Sequence, residues 1–293
     1  MAGKIASGFE LSKQSWAALN KNRQLIVFPI ISMIGMAIVT ILFFIPGAVL
    51  VNIALGGDGT AQWIPSLVLL FVYYLVTYTI VIFSNTALVG ATMKLIRGEP
   101  ATVRDGLHIA FTRLGKIFVY ALISATVGVI ARAVTQAGRD SNNAIVAILA
   151  ALAGGILQGA WSIVVFFAVP IIVAEDLDVK DTLQRSWHLF TETWGEGFVG
   201  SAAIGGISCL AYLAVLIIGG GIVAAGIYLN TIPLIVVGAI ILLFGFVLIG
   251  LLSGAVNGIF QASLYNFATT GNAGPFIDTE LARRAFVPAK VSR

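Results

Sequence analysis

The sequence predicts an all-α, polytopic membrane protein with about six spanning helices, arranged as three hairpins that each follow a short amphipathic helix. Charged residues make up only 10% of the chain and apolar residues 59%, whereas a soluble domain carries about 25% charged residues. Several apolar runs exceed the roughly 20 residues that cross a hydrocarbon core about 30 Å thick. The polar breaks between these runs are too short to bury a core of their own, so residues 1–293 are expected to form a single membrane domain.

The charge and the cysteine content exclude several kinds of site. The net charge of +4 does not indicate nucleic acid as a partner, because the basic residues lie beside apolar segments, where they orient a membrane protein. The single cysteine, Cys209, allows neither an internal disulfide nor a cysteine-based metal site. The N-terminus lacks the pattern of a cleaved secretory signal, so the first spanning helix is expected to direct insertion.

The first hairpin follows a basic amphipathic helix that is predicted at residues 3–23. Its two spanning helices are predicted at Leu25–Val51 and Ile64–Met93. Pro29 falls near the start of the first one, where proline is well tolerated. Pro46 lies near the far end and is expected to kink the helix or to end it.

The second and third hairpins follow the polar breaks at 94–116 and 175–196. Their spanning helices are predicted at Ile117–Gln136, Ala144–Ala174, Phe198–Leu229 and Ile232–Phe267. Pro170 is expected to bend the end of the fourth helix. The turn at Asn230 is so short that a four-span alternative stays open, but residues 198–267 are far too long for one crossing.

One design recurs in the polar breaks and predicts an internal repeat. An acidic residue stands six positions before an aromatic residue, and a small residue directly precedes the aromatic residue. The copies are Glu10/Ser15/Trp16, Asp105/Ala110/Phe111, Asp181/Ser186/Trp187 and, more weakly, Glu280/Ala285/Phe286. The predicted repeat units are 3–93, 94–174 and 175–270, followed by a cytoplasmic tail at 271–293. We interpret Trp16, Phe111, Trp187 and Trp194 as interfacial anchors, and Asp105 and Asp181 as helix caps.

Amides and small residues recur in the second helix of the hairpins. Asn85, Gln158 and Asn257 are expected to form interhelical hydrogen bonds, with a polar pore lining as the alternative. Small residues at four-residue spacing predict close helix packing in lipid. These stripes are Ala147, Ala151, Gly155 and Gly159 in helix 4, and Gly250, Gly254, Gly258 and Ala262 in helix 6. The cluster Gly219, Gly220 and Gly221 is expected to pack against helix 6, with a hinge as the alternative.

The distribution of basic residues predicts the orientation. Of the 17 Lys and Arg residues, only Arg132 and Arg139 lie on the side opposite to the termini. The positive-inside rule therefore places both termini in the cytoplasm. We expect the cytoplasmic membrane of a bacterium or an archaeon.

Few residues suggest chemistry within the membrane. The central parts of the six helices contain no Asp, Glu, Lys or His, which argues against a proton-coupled or sodium-coupled transporter. Arg132 is interpreted as an interface residue whose guanidinium reaches the membrane surface, with an anion-attracting group as the alternative. His108 and His188 have no cysteine partner and no HExxH pattern, so no metal site and no cofactor are expected.

The only acidic cluster follows helix 4 and consists of Glu175, Asp176, Asp178 and Asp181. We interpret it as a solvated turn and a helix N-cap, where carboxylates match the positive end of the helix dipole. Acid–base catalysis or divalent-cation binding is the alternative. No catalytic residue is assigned.

Short motifs carry a resemblance to a known family. Ser15-Trp16 followed by Phe28-Pro29, and the break from Asp181 through Ser186-Trp187 to Trp194-Gly195, resemble a family of uncharacterised bacterial and archaeal multi-pass membrane proteins. The alternation of helices and hairpins is more distantly similar to the membrane domain attached to some glycerophosphodiester phosphodiesterases. The resemblance implies about six helices and no established function, and without the soluble phosphodiesterase domain it implies no such activity.

These observations predict a non-enzymatic integral membrane protein whose interfacial helices organise lipid or dock a partner, within a homo-oligomer. The expected partners are membrane lipids and another membrane protein or a second copy of the chain. A passive channel or permease is the alternative, and a membrane enzyme that uses the acids at 175–181 is the third hypothesis.

Overall fold

The computed structural model describes residues 2–56, 63–141, 143–194 and 199–286. These residues form helices and connecting turns, with no β-strand among them. Six helical segments are long and apolar enough to cross a membrane. The predicted all-α, six-span architecture is therefore confirmed, and the protein is a multi-pass membrane protein.

The first hairpin begins with helix α1 (Ala2–Lys21) and a 3-10 turn at Arg23–Ile26. Two long helices follow, α2 (Val27–Gly56) and α3 (Trp63–Ile96). Pro46 does not end α2, which continues to Gly56. Spanning helices tolerate proline because neighbouring groups and local adjustments satisfy the freed backbone carbonyl.

The second hairpin contains a break that local hydropathy did not predict. It consists of α4 (Val103–Thr112), α5 (Leu114–Arg139), α6 (Ala144–Val164) and α7 (Ala168–Ala174). The predicted fourth span is thus interrupted at 165–167, ahead of Pro170. The proline ring excludes the carbonyl of the residue four positions earlier, and the chain forms tighter bonds there, from Ala168 N–H to the Val165 carbonyl at 3.0 Å.

The third hairpin consists of α8 (Val179–Trp194), α9 (Val199–Tyr228) and α10 (Ile232–Thr270), and α11 (Thr279–Phe286) follows it. Asn230 makes the turn between α9 and α10 with a φ of 50°, a left-handed conformation in which asparagine is enriched. The Thr231 N–H then donates to the Gly226 carbonyl at 2.8 Å. Two separate helices, both long and apolar enough to cross a membrane, therefore form here, as the six-span prediction requires.

The chain divides into two compact units. The first falls within Met1–Pro29, Thr92–Pro100 and Glu192–Arg293, and the second within Ile30–Ala91 and Ala101–Thr191. In the first unit α1 packs against α9, α10 and α11, and in the second α5 packs against α6. The single domain with three repeats at 3–93, 94–174 and 175–270 stays a prediction. The two compact units are defined by contacts between residues, which do not test whether segments of the chain repeat one another.

The described part of the tail packs within the first unit. Ala273, Ile277 and Ala282 are buried. The Asp278 N–H donates to the Gln14 side-chain oxygen of α1 at 2.8 Å. The Asp278 carboxylate accepts the Glu280 N–H at 2.8 Å, so this aspartate caps the start of α11.

Candidate functional site

The three helices that precede the hairpins, α1, α4 and α8, share one arrangement, and we refer to them as the pre-hairpin helices. In each, the small residue of the sequence design is completely buried and the following aromatic side chain is exposed. The buried residues are Ser15, Ala110 and Ser186, at 0% exposure, and the exposed ones are Trp16 at 41%, Phe111 at 62% and Trp187 at 47%. Neighbouring residues lie about 100° apart around a helix. The ring therefore projects from the rim of the buried face.

The arrangement cannot be compared at Trp194, the fourth predicted anchor, or in the weak fourth copy of the pattern. Trp194 is the last residue of α8, but its side chain lies outside the described residues, as do those of Ala285 and Phe286.

The N-terminus of α4 is capped by a residue that sequence reasoning missed. Thr102 is the N-cap, and Asp105 stands at the third helical position of a reciprocal capping box. The Thr102 hydroxyl oxygen accepts the Asp105 N–H at 3.2 Å, and the Asp105 carboxylate accepts the Thr102 N–H at 2.8 Å. The three-residue spacing of Thr102 and Asp105 was the available signal. Asp181 lies in the first turn of α8, where the helix dipole favours a carboxylate.

Ser186 connects α8 to the break between α6 and α7. Its buried hydroxyl oxygen accepts the Phe167 N–H at 3.0 Å, and that N–H lies where the helix is interrupted. The Phe166 and Phe190 rings pack edge to face beside it, with centroids 5.9 Å apart. The small residue of the third copy therefore satisfies a backbone group that the break has freed.

Two members of the acidic cluster after α7 form ion pairs. Asp176 pairs with the Arg113 guanidinium and the Lys116 ammonium, and Glu175 pairs with Arg185 at 3.4 Å. The hydrogen bond from Arg113, and then that from Lys116, lowers the pKa of Asp176 to about 2. Such a carboxylate stays ionised near neutral pH and is a poor proton donor. Within the described residues no three or more His, Cys, Asp or Glu side chains are grouped so that they could hold a metal ion.

The predicted amides occupy different surroundings. Asn85 is half-buried on α3, and Gln158 is exposed on α6, beside a polar cavity. Asn257 is exposed on α10 and belongs to the first unit, whereas the other two belong to the second. Their roles in hydrogen bonding or in a pore stay predictions.

The glycines of the α9–α10 hairpin divide into close-packed and open positions. A Cβ at Gly219 would lie 2.7 Å from Leu242 Cγ, whereas one at Gly220 or Gly221 would meet nothing within 4 Å. Sequence reasoning missed the tight contacts at Gly226, Gly238 and Gly245. Their signal was the seven-residue spacing of 219 with 226 and of 238 with 245, which returns a residue to the same helix face.

Two glycines of the predicted small-residue stripe of α10 have less crowded surroundings. A Cβ at Gly250 would lie 3.4 Å from the Tyr212 hydroxyl oxygen, and one at Gly254 would lie 4.0 Å from Pro29. Gly258 is buried. In α6 the close contact runs through Gly154, while a Cβ at Gly155 or Gly159 would meet nothing within 4 Å.

A comparison with protein families gives one match. Residues 64–276 match the sequence model of a family of unknown function (DUF6159), and this stretch contains five of the six spans. The predicted likeness to an uncharacterised family is therefore confirmed. No curated protein matches the chain.

Proposed function

The chain belongs to this family of unknown function. From its own residues, we propose that it is a non-enzymatic integral membrane protein that organises membrane lipid or docks a partner. The pre-hairpin helices carry this role, and the protein works in a homo-oligomer in the cytoplasmic membrane of a bacterium or an archaeon. Both termini face the cytoplasm. A distant relation to the membrane domain attached to glycerophosphodiester phosphodiesterases would fit this role without phosphodiester hydrolysis.

The observation that carries the proposal is the pairing of a buried small residue with an exposed aromatic ring in all three pre-hairpin helices. A small residue lets the helix lie close to its neighbours. The adjacent ring is left at the rim, and tryptophan rings are enriched at the level of the lipid headgroups. Each of these helices also carries exposed charges, among them Lys13 on α1, Arg104 on α4 and Lys180 on α8. Such a combination suits a helix that lies in the membrane interface.

The depth of Trp187 in the membrane tests this proposal. A variant that retains Trp187 alone among the five tryptophans is reconstituted with phospholipids that are brominated at different depths. We expect the strongest fluorescence quenching from bromines near the headgroups. The matched control retains only Trp161, which lies within the α6 span and should be quenched most by bromines nearer the membrane centre.

The oligomeric state provides the second test. Purification in mild detergent is expected to yield an oligomer with bound lipid or a bound protein. Monomers without co-purifying lipid or protein, together with a Trp187 that no brominated lipid quenches, would contradict the proposal.

A passive channel or permease is the second candidate function. The observation that favours it is the polar cavity beside Gln158 in the α6 span. Solute flux into liposomes is the measurement, and Gln158→Leu should reduce that flux if the amide lines a pathway. Flux no greater than that of empty vesicles, over a broad panel of solutes, would rule this candidate out.

A further inference from the structure

A polar cavity of about 370 Å³ lies between α5 and α6, in the second unit. The α5 helix contributes one face to it, with Arg132, Thr135, Gln136 and Arg139, and α6 contributes Gln158. These α5 residues recur at three-residue and four-residue spacing, so they share one side of the helix. The proposed interfacial role does not use this cavity, since it belongs to the spanning helices.

Glycines lie where the backbones of α5 and α6 approach each other closely. A Cβ at Gly154 would run into the Thr135 hydroxyl and would lie 3.0 Å from the Ala131 carbonyl oxygen. A Cβ at Gly138 would lie 3.1 Å from the Val146 carbonyl oxygen. The two backbones therefore approach closely at these points, as glycine permits in lipid. Beside this contact the space at Gly155 stays open.

The cavity holds two guanidinium groups without a carboxylate partner among the described residues. Arg132 and Arg139 are both exposed, and the neighbouring Asp140 accepts a hydrogen bond from the Gln136 amide at 2.9 Å. Arg132 donates to the Tyr74 hydroxyl oxygen at 3.4 Å, a neutral partner that leaves its charge uncompensated.

The position of Arg132 makes this charge unusual. It stands seven residues before the end of α5, which is about 10 Å along the helix axis, and therefore lies inside a segment that is apolar enough to span the membrane. An ionisable group in such a place is expensive and by default indicates a functional site. Guanidinium groups match phosphate oxygens in a bidentate geometry.

We propose that this cavity binds the phosphate group of an anion, with an anionic phospholipid as the source that its place in the membrane favours. Arg132 and Arg139 hold the phosphate, and Gln136 and Gln158 donate further hydrogen bonds. The exposed apolar side chains of α6, including Ile148, Leu152 and Ile156, provide a surface for the acyl chains.

Native mass spectrometry of the full-length protein in mild detergent tests the proposal. Phosphatidylglycerol is titrated onto the parent protein, onto R132Q/R139Q and onto the control R97Q/R283Q. The control removes the same charge from two arginines that are exposed elsewhere. We expect R132Q/R139Q to bind phosphatidylglycerol at least about tenfold more weakly, since charge-assisted hydrogen bonds are roughly twice as strong as neutral ones. The control should keep the affinity of the parent.

A second variant distinguishes a loss of lipid binding from a folding defect. Gln158→Glu places a carboxylate of nearly the same shape in the cavity, where it would compete with the phosphate for both arginines. We expect it to remain folded by size-exclusion chromatography and to lose affinity for phosphatidylglycerol.

Two further titrations identify the source of the phosphate. Phosphatidylcholine, whose headgroup has no net charge, should bind to the parent more weakly than phosphatidylglycerol. Competition by inorganic phosphate that depends on Arg132 and Arg139 would support the same phosphate chemistry and assign a soluble source. Equal phosphatidylglycerol affinity in R132Q/R139Q and R97Q/R283Q, or an unchanged affinity in Gln158→Glu, would overturn the proposal.

Discussion

Two buried serines at equivalent places in the repeated design differ in their hydrogen bonding. Ser186 accepts the Phe167 N–H at the break that precedes α7. The buried Ser15 hydroxyl oxygen has no hydrogen-bond partner among the described residues. A hydroxyl that accepts a hydrogen bond from a buried backbone N–H stabilises the fold. A buried hydroxyl without a partner has lost its hydrogen bonds to water and has formed none in their place.

Ser186→Ala should therefore destabilise the protein by about 1–3 kcal/mol, because the buried Phe167 N–H loses its hydrogen bond to Ser186. Ser15→Ala is the matched control and should be neutral or slightly stabilising. Thermal unfolding in the same detergent measures both. Equal shifts of the unfolding temperature in the two variants would show that the hydrogen bond is not responsible.

Asp176 gives the protein a pH-dependent contribution to stability. Its pKa is lowered from 3.8 to about 2, first by the hydrogen bond from Arg113 and then by that from Lys116. A carboxyl group with a lowered pKa in the folded state stabilises that state fully above its unfolded pKa. The contribution should disappear as the pH falls from about 4 to about 2.

Asp176→Asn tests this pH dependence with little disturbance of the backbone, because asparagine tolerates the φ of 53° at this position. We expect the variant to be less stable than the parent at neutral pH and to approach it in stability near pH 2. Asp178→Asn, at an exposed position, is the control and should follow the parent. A parallel loss of stability in Asp176→Asn and the parent on acidification would contradict the ion-pair interpretation.

At the scale of helices, the α9–α10 hairpin depends on a few glycines that face the partner helix. A Cβ at Gly238 would lie 2.8 Å from both the Gly219 carbonyl oxygen and the Val223 backbone nitrogen. Backbone atoms cannot move aside as the end of a side chain can. The two helices would have to separate to accommodate the methyl group.

Gly238→Ala should therefore destabilise the protein by about 1–3 kcal/mol, the usual range for overpacking. Gly220→Ala is the control, since its Cβ would meet nothing within 4 Å. Removing a glycine from a helix interior should stabilise it by up to about 1 kcal/mol. Unfolding of both variants in detergent gives the comparison, and a stabilised Gly238→Ala would show that the hairpin is looser than the structure indicates.

The sequence predicted the spans well, because hydropathy is a local property and the thickness of the membrane sets the length of each apolar segment. Predicted helix 6, Ile232–Phe267, differs from α10 only at its end, where the helix continues to Thr270. The break at 165–167 was not located, because a proline disturbs the helix at the carbonyl four residues before it and not at its own position. The Phe167 N–H at this break then donates to the distant Ser186, a contact that no local pattern indicates. The packing glycines were missed because the face of a helix that meets its partner depends on the rotation of both helices.

At the scale of the whole molecule, the first unit joins segments from opposite ends of the chain. The α1 helix packs against α9, α10 and α11, and Gln14 accepts a hydrogen bond from the backbone of Asp278. No local pattern predicts such a pairing, since hydropathy describes each segment alone. A repeat of three consecutive units also provides no information about which distant segments meet.

The distribution of basic residues predicts the orientation of the molecule in the membrane. Arg132 and Arg139 are the only Lys or Arg residues predicted on the side of the connection between α5 and α6, so this side should face away from the cytoplasm. Replacing Cys209, the single native cysteine, by serine allows a single cysteine to be placed at either end of the spans. Ser141→Cys and Glu99→Cys both replace exposed residues, the first in the α5–α6 connection and the second in the connection that precedes α4.

In intact cells, a membrane-impermeant thiol reagent should label Ser141→Cys and leave Glu99→Cys unlabelled, because positively charged connections are retained in the cytoplasm. Both variants should react once the cells are permeabilised, which controls for the accessibility of each thiol. The reverse pattern in intact cells would invert the orientation. It would then place the connection between α5 and α6, together with the end of α5 that carries Arg139, on the cytoplasmic side.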